Sequence, residues 1–132
     1  MYVGVDLIEI ERIGLTYSRY PRRFLEKIYT PAEQAYCRGR APQLASRFAA
    51  KEAVMKALGT GVRGVSWRDI EVQRKRGRAP EIVLYDRAKA RAEKMGIVRL
   101  AVSLSHSREF AIACVVAQTA DAPGQEGRTT QE

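Results

Sequence analysis

Two carboxylates stand in segments otherwise suited to packing: Asp6 in "VGVDLIEI" and Glu52 in "RFAAKEAVMKAL". Aspartate is depleted in strands, and a buried, unpaired carboxylate is costly. Asp6 therefore needs a cation or a set of hydrogen bonds; taken alone, it also reads as a satisfied structural aspartate near a strand end. Joined to Glu52, it gives two carboxylates from separate elements with coordination left open. That donor set suits Mg²⁺, which keeps waters and takes substrate phosphates. Lys56 follows Glu52 by four residues, on the same helical face; by itself the pair is a surface contact worth about a few tenths of a kcal/mol. Lys51 lies just before Glu52 and reads as a residue bordering the site or a subunit contact.

His106 is the only histidine. It ends the strand-like "SLSHS" beside a tight turn, placed to make a structural hydrogen bond, to hold a phosphate or to move a proton. The connector "GTGVRG", with Gly61 inside it, lacks the Gly-Lys-Ser/Thr ending of a Walker loop. Its backbone N–H groups are nonetheless of the kind that approach a pyrophosphate. Arg12, Arg19, Arg22 and Arg23 form a basic run, either a solvated face or a docking surface for an acidic partner.

The elements that must position these groups follow from periodicity. Val3, Val5 and Leu7 alternate on one face of a first strand, with Gly4, Asp6, Ile8 and Ile10 on the other. "PRRFLEKIY" gives a short helix. In "TPAEQAYC", Thr30 caps, Pro31 suits the first helical position and Glu33 completes a capping box. "APQLASRFAAKEAVMKALG" is the longest helix, ended by Gly59. Ala49, Ala53 and Ala57 give it a small stripe for close packing, and Phe48 sits one turn before Glu52. "DIEVQR" and "EIVLYD" flank the turn "KRGRAP" as a hairpin. Asp86 is the expected cap of "RAKARAEKM", which Gly96 ends. "LAVSLSHS" and "EFAIACVVA" form a second hairpin through Ser107-Arg108, apolar enough to serve an interface as well as a core. The class is α+β, with antiparallel hairpins packed on a long helix. One domain spans 1–117, and 118–132 is a polar segment expected to be a disordered tail.

The chain has 132 residues and a net charge of +8, with 45% hydrophobic residues. That predicts one folded domain and a polyanionic partner: nucleic acid, an acidic protein, a phosphorylated ligand or a membrane surface. A basic nucleic-acid-binding domain is the alternative class. It calls for aromatics interleaved with basic residues on a sheet face, and the strands offer little beyond Tyr85 and Phe110. Cys37 and Cys114 lie far apart in apolar contexts, as small buried hydrophobes do, with no zinc spacing. No apolar run approaches membrane-spanning length, and no signal-peptide pattern precedes the first strand. A reducing cytoplasm is the expected setting.

Three blocks, "GVDLIEIERI", "RFAAKEAVMKALGTG" and "VSLSHSREFAIACVV", together resemble the holo-acyl-carrier-protein synthases. These are small 4′-phosphopantetheinyl transferases. The blocks occur in the family's order, and the resemblance runs from about Val3 to Ala117. It implies the family's fold. It implies that Asp6 and Glu52 hold Mg²⁺, and that Lys56, Gly61 and His106 contact coenzyme A. Phosphopantetheine would pass from coenzyme A to a serine of apo acyl carrier protein, leaving adenosine 3′,5′-bisphosphate. Glu52, Lys56 and His106 are the implied catalytic groups. The serine proton would go to Glu52 or a water on the metal, with His106 as second candidate. The resemblance further implies homotrimers with sites between subunits, and carrier docking on Arg12, Arg19 and Arg23. Two departures stand out: "RGRAP" holds one residue more before its proline, and Ser107 stands where some relatives carry an acid.

Overall fold

The computed structural model describes residues 1–120 of the chain. Strand β1 (Tyr2–Glu9) leads directly into helix α1 (Ile10–Arg19), followed by α2 (Pro21–Ile28), α3 (Pro31–Cys37) and the long α4 (Ala41–Ala57). A single 3₁₀ turn (Trp67–Asp69) precedes the hairpin β2 (Ile70–Gln73) and β3 (Glu81–Leu84). Helix α5 (Asp86–Lys94) and the hairpin β4 (Ile97–His106) and β5 (Phe110–Thr119) complete the fold. β1, β5 and β4 form one antiparallel sheet in that order; β2 and β3 form another. The α+β architecture expected from the hairpins and the long helix is what forms.

α4 lies on the inner face of the larger sheet, held close by small residues. Ala49, Ala53 and Ala57 are buried, and Ala111, Ala113 and Ala117 face them from β5. Gly4 is required here: a Cβ at that position would come within 1.8 Å of the Ala53 carbonyl oxygen. The inner face of β1 is therefore Gly4, Asp6 and Ile8. Val3, Val5 and Leu7 face outward, at 56%, 46% and 58% exposure.

The capping box at α3 forms as expected: Thr30 Oγ1 accepts from the Glu33 N–H, and Glu33 Oε1 accepts from the Thr30 N–H. Glu33 does more than cap. Its Oε1 also lies 2.7 Å from the Lys51 ammonium, with both side chains fully buried, and its Oε2 accepts from the Val72 N–H at 2.7 Å. Lys51 uses its other protons on the carbonyls of Trp67 and Ile70. Lys51 thus does not border the site, as expected from its place in the sequence; it ties α4 to α3, the 3₁₀ turn and β2. Burial holds its pKa below the ordinary lysine value, against the opposing pull of Glu33.

Four local expectations are corrected. α1 was not anticipated: it follows β1 with no capping side chain at Glu9. Asp86 does not cap α5; it is the first helical residue, with φ of +47°, and Tyr85 precedes it as N-cap without a side-chain bond. β5 runs through Thr119, so Gln118 and Thr119 belong to the sheet and not to a tail; the rest of that segment, 121–132, lies outside the described residues. Cys37 is buried, whereas Cys114 is only half-buried, on the outer face of β5. Gly59 ends α4 at φ +66°, as expected.

Candidate functional site

Asp6 and Glu52 meet where β1 crosses α4. Backbone register sets Asp6 opposite Ala113, so its carboxylate projects over a small residue toward the helix. Glu52 and Lys56 lie one turn apart on the α4 face toward β1. The ion pair that forms is not the Glu52–Lys56 contact but Lys56–Asp6, with Nζ to Oδ1 at 3.0 Å. Lys56 also donates to the Val5 carbonyl at 2.9 Å. Its side chain remains half exposed, at 53%, so the ammonium stays accessible from solvent. Burial pushes the Glu52 carboxyl above the ordinary glutamate range, and the charge of Asp6 adds to this; Lys56 and Arg12 oppose it. Two carboxylates close enough to repel, with an ammonium already drawn to one of them, make a place that favours cations.

Among the described residues, no cluster of three or more His, Cys, Asp and Glu side chains could hold a metal ion. Two carboxylates from separate elements fit a hard cation that completes its shell with water and phosphate.

His106 is not part of this cluster within the chain. It ends β4, opposite Ala111, which pairs in turn with Ile8. It is therefore two strands away from β1, about 10 Å across the sheet, at the far edge of α4. There it lines a separate cavity with Tyr36, Ser46, Arg47, Arg74 and Ser105. Arg47 is the notable member. It is 5% exposed, its guanidinium lies over the Tyr36 ring at 4.3 Å, and its Nη2 has no hydrogen-bond partner. A buried guanidinium nitrogen without an acceptor costs free energy unless a ligand supplies one. With Arg74 and His106 beside it, the cavity has the composition of an anion site. Sequence reasoning missed Arg47, Arg74 and Tyr36. The one signal for Arg47 was its place in the same segment as Glu52, four residues before Lys51.

Gly61 lies in the exposed connector after α4, where an added Cβ would meet nothing within 4 Å. The connector is thus open for backbone approach. Arg12 and Arg23 line a groove floored by Ile8, Ile13, Phe24 and Phe48, and Arg19 joins Arg12 in an adjoining hollow. The three arginines are therefore neighbours on one surface, although Arg12 also borders the metal-type cluster through its charge on Glu52. Tyr85, one of two aromatics that a nucleic-acid face would need, instead donates its hydroxyl to Glu71 at 2.9 Å.

Residues 2–115 match the family described as the 4′-phosphopantetheinyl transferase superfamily. The chain is 45% identical over 119 residues to a holo-[acyl-carrier-protein] synthase of Moorella thermoacetica, covering 88% of this chain and 92% of that one. It is 49% identical over 118 residues to the Dehalococcoides mccartyi enzyme of the same name, covering 89% and 98%. Its fold matches the crystal structure of the Helicobacter pylori holo-[acyl-carrier-protein] synthase in complex with coenzyme A. That match has a TM-score of 0.80 and 35% identity, over 88% of this chain and 99% of the other. On the match across most of its length and the identity to these relatives, the chain belongs to the 4′-phosphopantetheinyl transferase superfamily.

Proposed function

We propose that this chain transfers the 4′-phosphopantetheine group of coenzyme A to a serine of apo acyl carrier protein, releasing adenosine 3′,5′-bisphosphate. The observation that carries this reading beyond family membership is the division of charge in the fold. A carboxylate pair with a half-exposed ammonium lies at one edge of α4. A cationic cavity with an unsatisfied arginine lies at the other. Coenzyme A needs both kinds of surface, since its pyrophosphate reacts while its 3′-phosphate is only held.

In this reading Asp6 and Glu52 hold Mg²⁺, which when bound draws charge from the pyrophosphate oxygens. Lys56 turns its ammonium from Asp6 toward the phosphates and adds fixed positive charge where negative charge builds. The serine oxygen forms a bond to the β-phosphorus, and the bond from that phosphorus to the bridging oxygen breaks. The bisphosphate carries that oxygen away. Glu52 accepts the serine proton in this reading. His106 lies too far from Glu52 in its own chain to share this role and instead serves the phosphate cavity with Arg47. Gly61 lets the connector backbone approach the nucleotide.

The two half-sites meet only if subunits assemble. The outer sheet face, with Val3, Val5, Leu7 and Ile112 exposed, has the apolar character of a subunit interface. We place it at the centre of a homotrimer in which one subunit supplies Asp6, Glu52 and Lys56 and its neighbour supplies Arg47 and His106. Arg12, Arg19 and Arg23 receive the acidic carrier, which gives the net charge of +8 a use. No helix among the described residues is long and apolar enough to cross a membrane, and the reaction belongs in the cytoplasm, with its substrates.

The test is incubation with coenzyme A, Mg²⁺ and an apo carrier, followed by the intact mass of the carrier. A carrier that gains the arm only when Mg²⁺ is present supports the reading. An unmodified carrier overturns it. Asp6→Ala should remain folded and lose nearly all transfer; full activity in that variant at modest Mg²⁺ would remove Asp6 from the metal site.

A further inference from the structure

The groove that carries Arg12 and Arg23 has a wall that no catalytic group accounts for. Phe48 lines it from α4, and behind Phe48 stands Trp67, the only tryptophan in the chain. Their rings stack with centroids 5.0 Å apart and planes at 27°. Trp67 does not itself line the groove. Its backbone, however, is fixed from several sides. Its carbonyl accepts from the buried Lys51 ammonium at 3.1 Å. The turn that holds it is closed by Asp69, whose Oδ2 accepts from the Ser66 N–H at 3.1 Å. Arg68 reaches the Glu26 carbonyl on α2 at 3.4 Å, and α2 supplies Phe24, Arg23 and Lys27 to the same groove.

We propose that Trp67 is a positioning residue for the carrier protein. It holds the Phe48 ring as one wall of the docking groove, while the neighbouring Arg68 ties the same turn to α2, the element opposite. The occupant is the acidic carrier, because the groove has an apolar floor and a rim of Arg12, Arg23 and Lys27, the surface an acidic amphipathic helix fits. The inference rests on the reading of this groove as the carrier's. Trp67 does not line the Arg47 cavity, and the side-chain polar contact it receives is from Lys51, not from Asp6, Glu52 or Lys56. Its loss should therefore act on the carrier and spare coenzyme A.

The experiment compares Trp67→Leu and Trp67→Phe with the wild type in steady-state transfer. Losing one stacked aromatic partner should raise the KM for apo carrier about two- to tenfold. The KM for coenzyme A and kcat should stay within twofold of the wild type. Trp67→Phe, which keeps an aromatic face, should recover most of the loss. Wild-type tryptophan emission should shift on adding apo carrier and remain unchanged on adding coenzyme A with Mg²⁺. A carrier KM that stays at the wild-type value in both variants overturns the proposal. So does a raised KM for coenzyme A with an unchanged carrier KM. Arg23→Glu separates this from failure of the groove itself. If that reversal leaves carrier KM unchanged, the groove is not the docking site. If it raises carrier KM while Trp67→Leu does not, only the role of Trp67 falls.

Discussion

Mixing two disabled chains asks directly whether the site is shared between subunits. Glu52→Gln removes a carboxylate from the Asp6–Glu52 pair, and Arg47→Met removes the guanidinium from the cationic cavity. In one chain the two residues are five positions apart, about 140° around α4, and face different edges of the sheet. Each variant should be strongly impaired alone, Arg47→Met at coenzyme A concentrations near the wild-type KM. For Arg47→Met the loss is at least one charge-assisted hydrogen bond to a phosphate, about 1.5–3 kcal/mol, or roughly 10- to 150-fold in affinity. The fold should survive, because the contact it loses, the stack on Tyr36, is worth about 0.5–1 kcal/mol.

In the proposed homotrimer, co-expression of the two chains would give randomly mixed trimers, and each interfacial site would take its Glu52 side from one subunit and its Arg47 side from the next. Either side is intact half the time, so about a quarter of sites are complete on both sides in a closed ring. The assay is the initial rate of carrier modification by intact mass, normalised to trimer concentration, with mixed composition verified by tandem affinity tags. Recovery to roughly a quarter of the wild-type rate is expected. Mixed trimers no more active than the better single variant would place Glu52 and Arg47 in unconnected functions and refute the shared-site reasoning.

How much of this was legible in the sequence depends on how local each signal was. α4 was readable because its alanine stripe lies within the helix and Gly59 closely follows its end. The two hairpins were readable because alternation and turn residues are adjacent. α1 escaped because Ile10 and Ile13 follow β1 without a break, and no capping side chain marks the change of period. Alternation gave the two faces of β1 but not which one is inward. Apolar content alone favours Val3, Val5 and Leu7, yet the close approach of Ala53 selects the face with Gly4, leaving the more apolar face exposed. Asp6 and Glu52 could be picked out together because each is anomalous in its own segment, and the fold brings them close enough to interact. Lys51 and Arg47 looked like ordinary helix charges. Their burial is decided by Glu33, Trp67, Ile70 and Tyr36, which lie on three other elements. No spacing rule within α4 could reveal those partners.

Three further outcomes follow from the same geometry. Gly4→Ala should destabilise the fold by more than the roughly 1–3 kcal/mol of ordinary overpacking, since the obstacle is the Ala53 backbone carbonyl; a denaturant midpoint equal to the wild type would contradict the packing described. Glu52, held above the ordinary range by burial and then by Asp6, binds its proton more tightly folded than unfolded. Its contribution is full below the unfolded carboxylate range and is lost as pH rises through the raised folded value. Metal-free Glu52→Gln should therefore melt above the wild type at neutral pH, and the difference should vanish in acid; equal melting at neutral pH would count against the raised value. Finally, in the proposed docking Arg19 and Arg23 would act on the carrier through exposed charge, which salt screens. Reversing either to Glu should raise the carrier KM by up to about fivefold, the equivalent of roughly 1 kcal/mol or less per contact, and added salt should raise it in the wild type. Arg12 differs, because its charge also reaches Glu52: its reversal should impair kcat as well as carrier KM. If Arg19→Glu and Arg23→Glu instead raise the KM for coenzyme A and spare the carrier, the arginines serve the nucleotide, and the docking surface must be sought elsewhere.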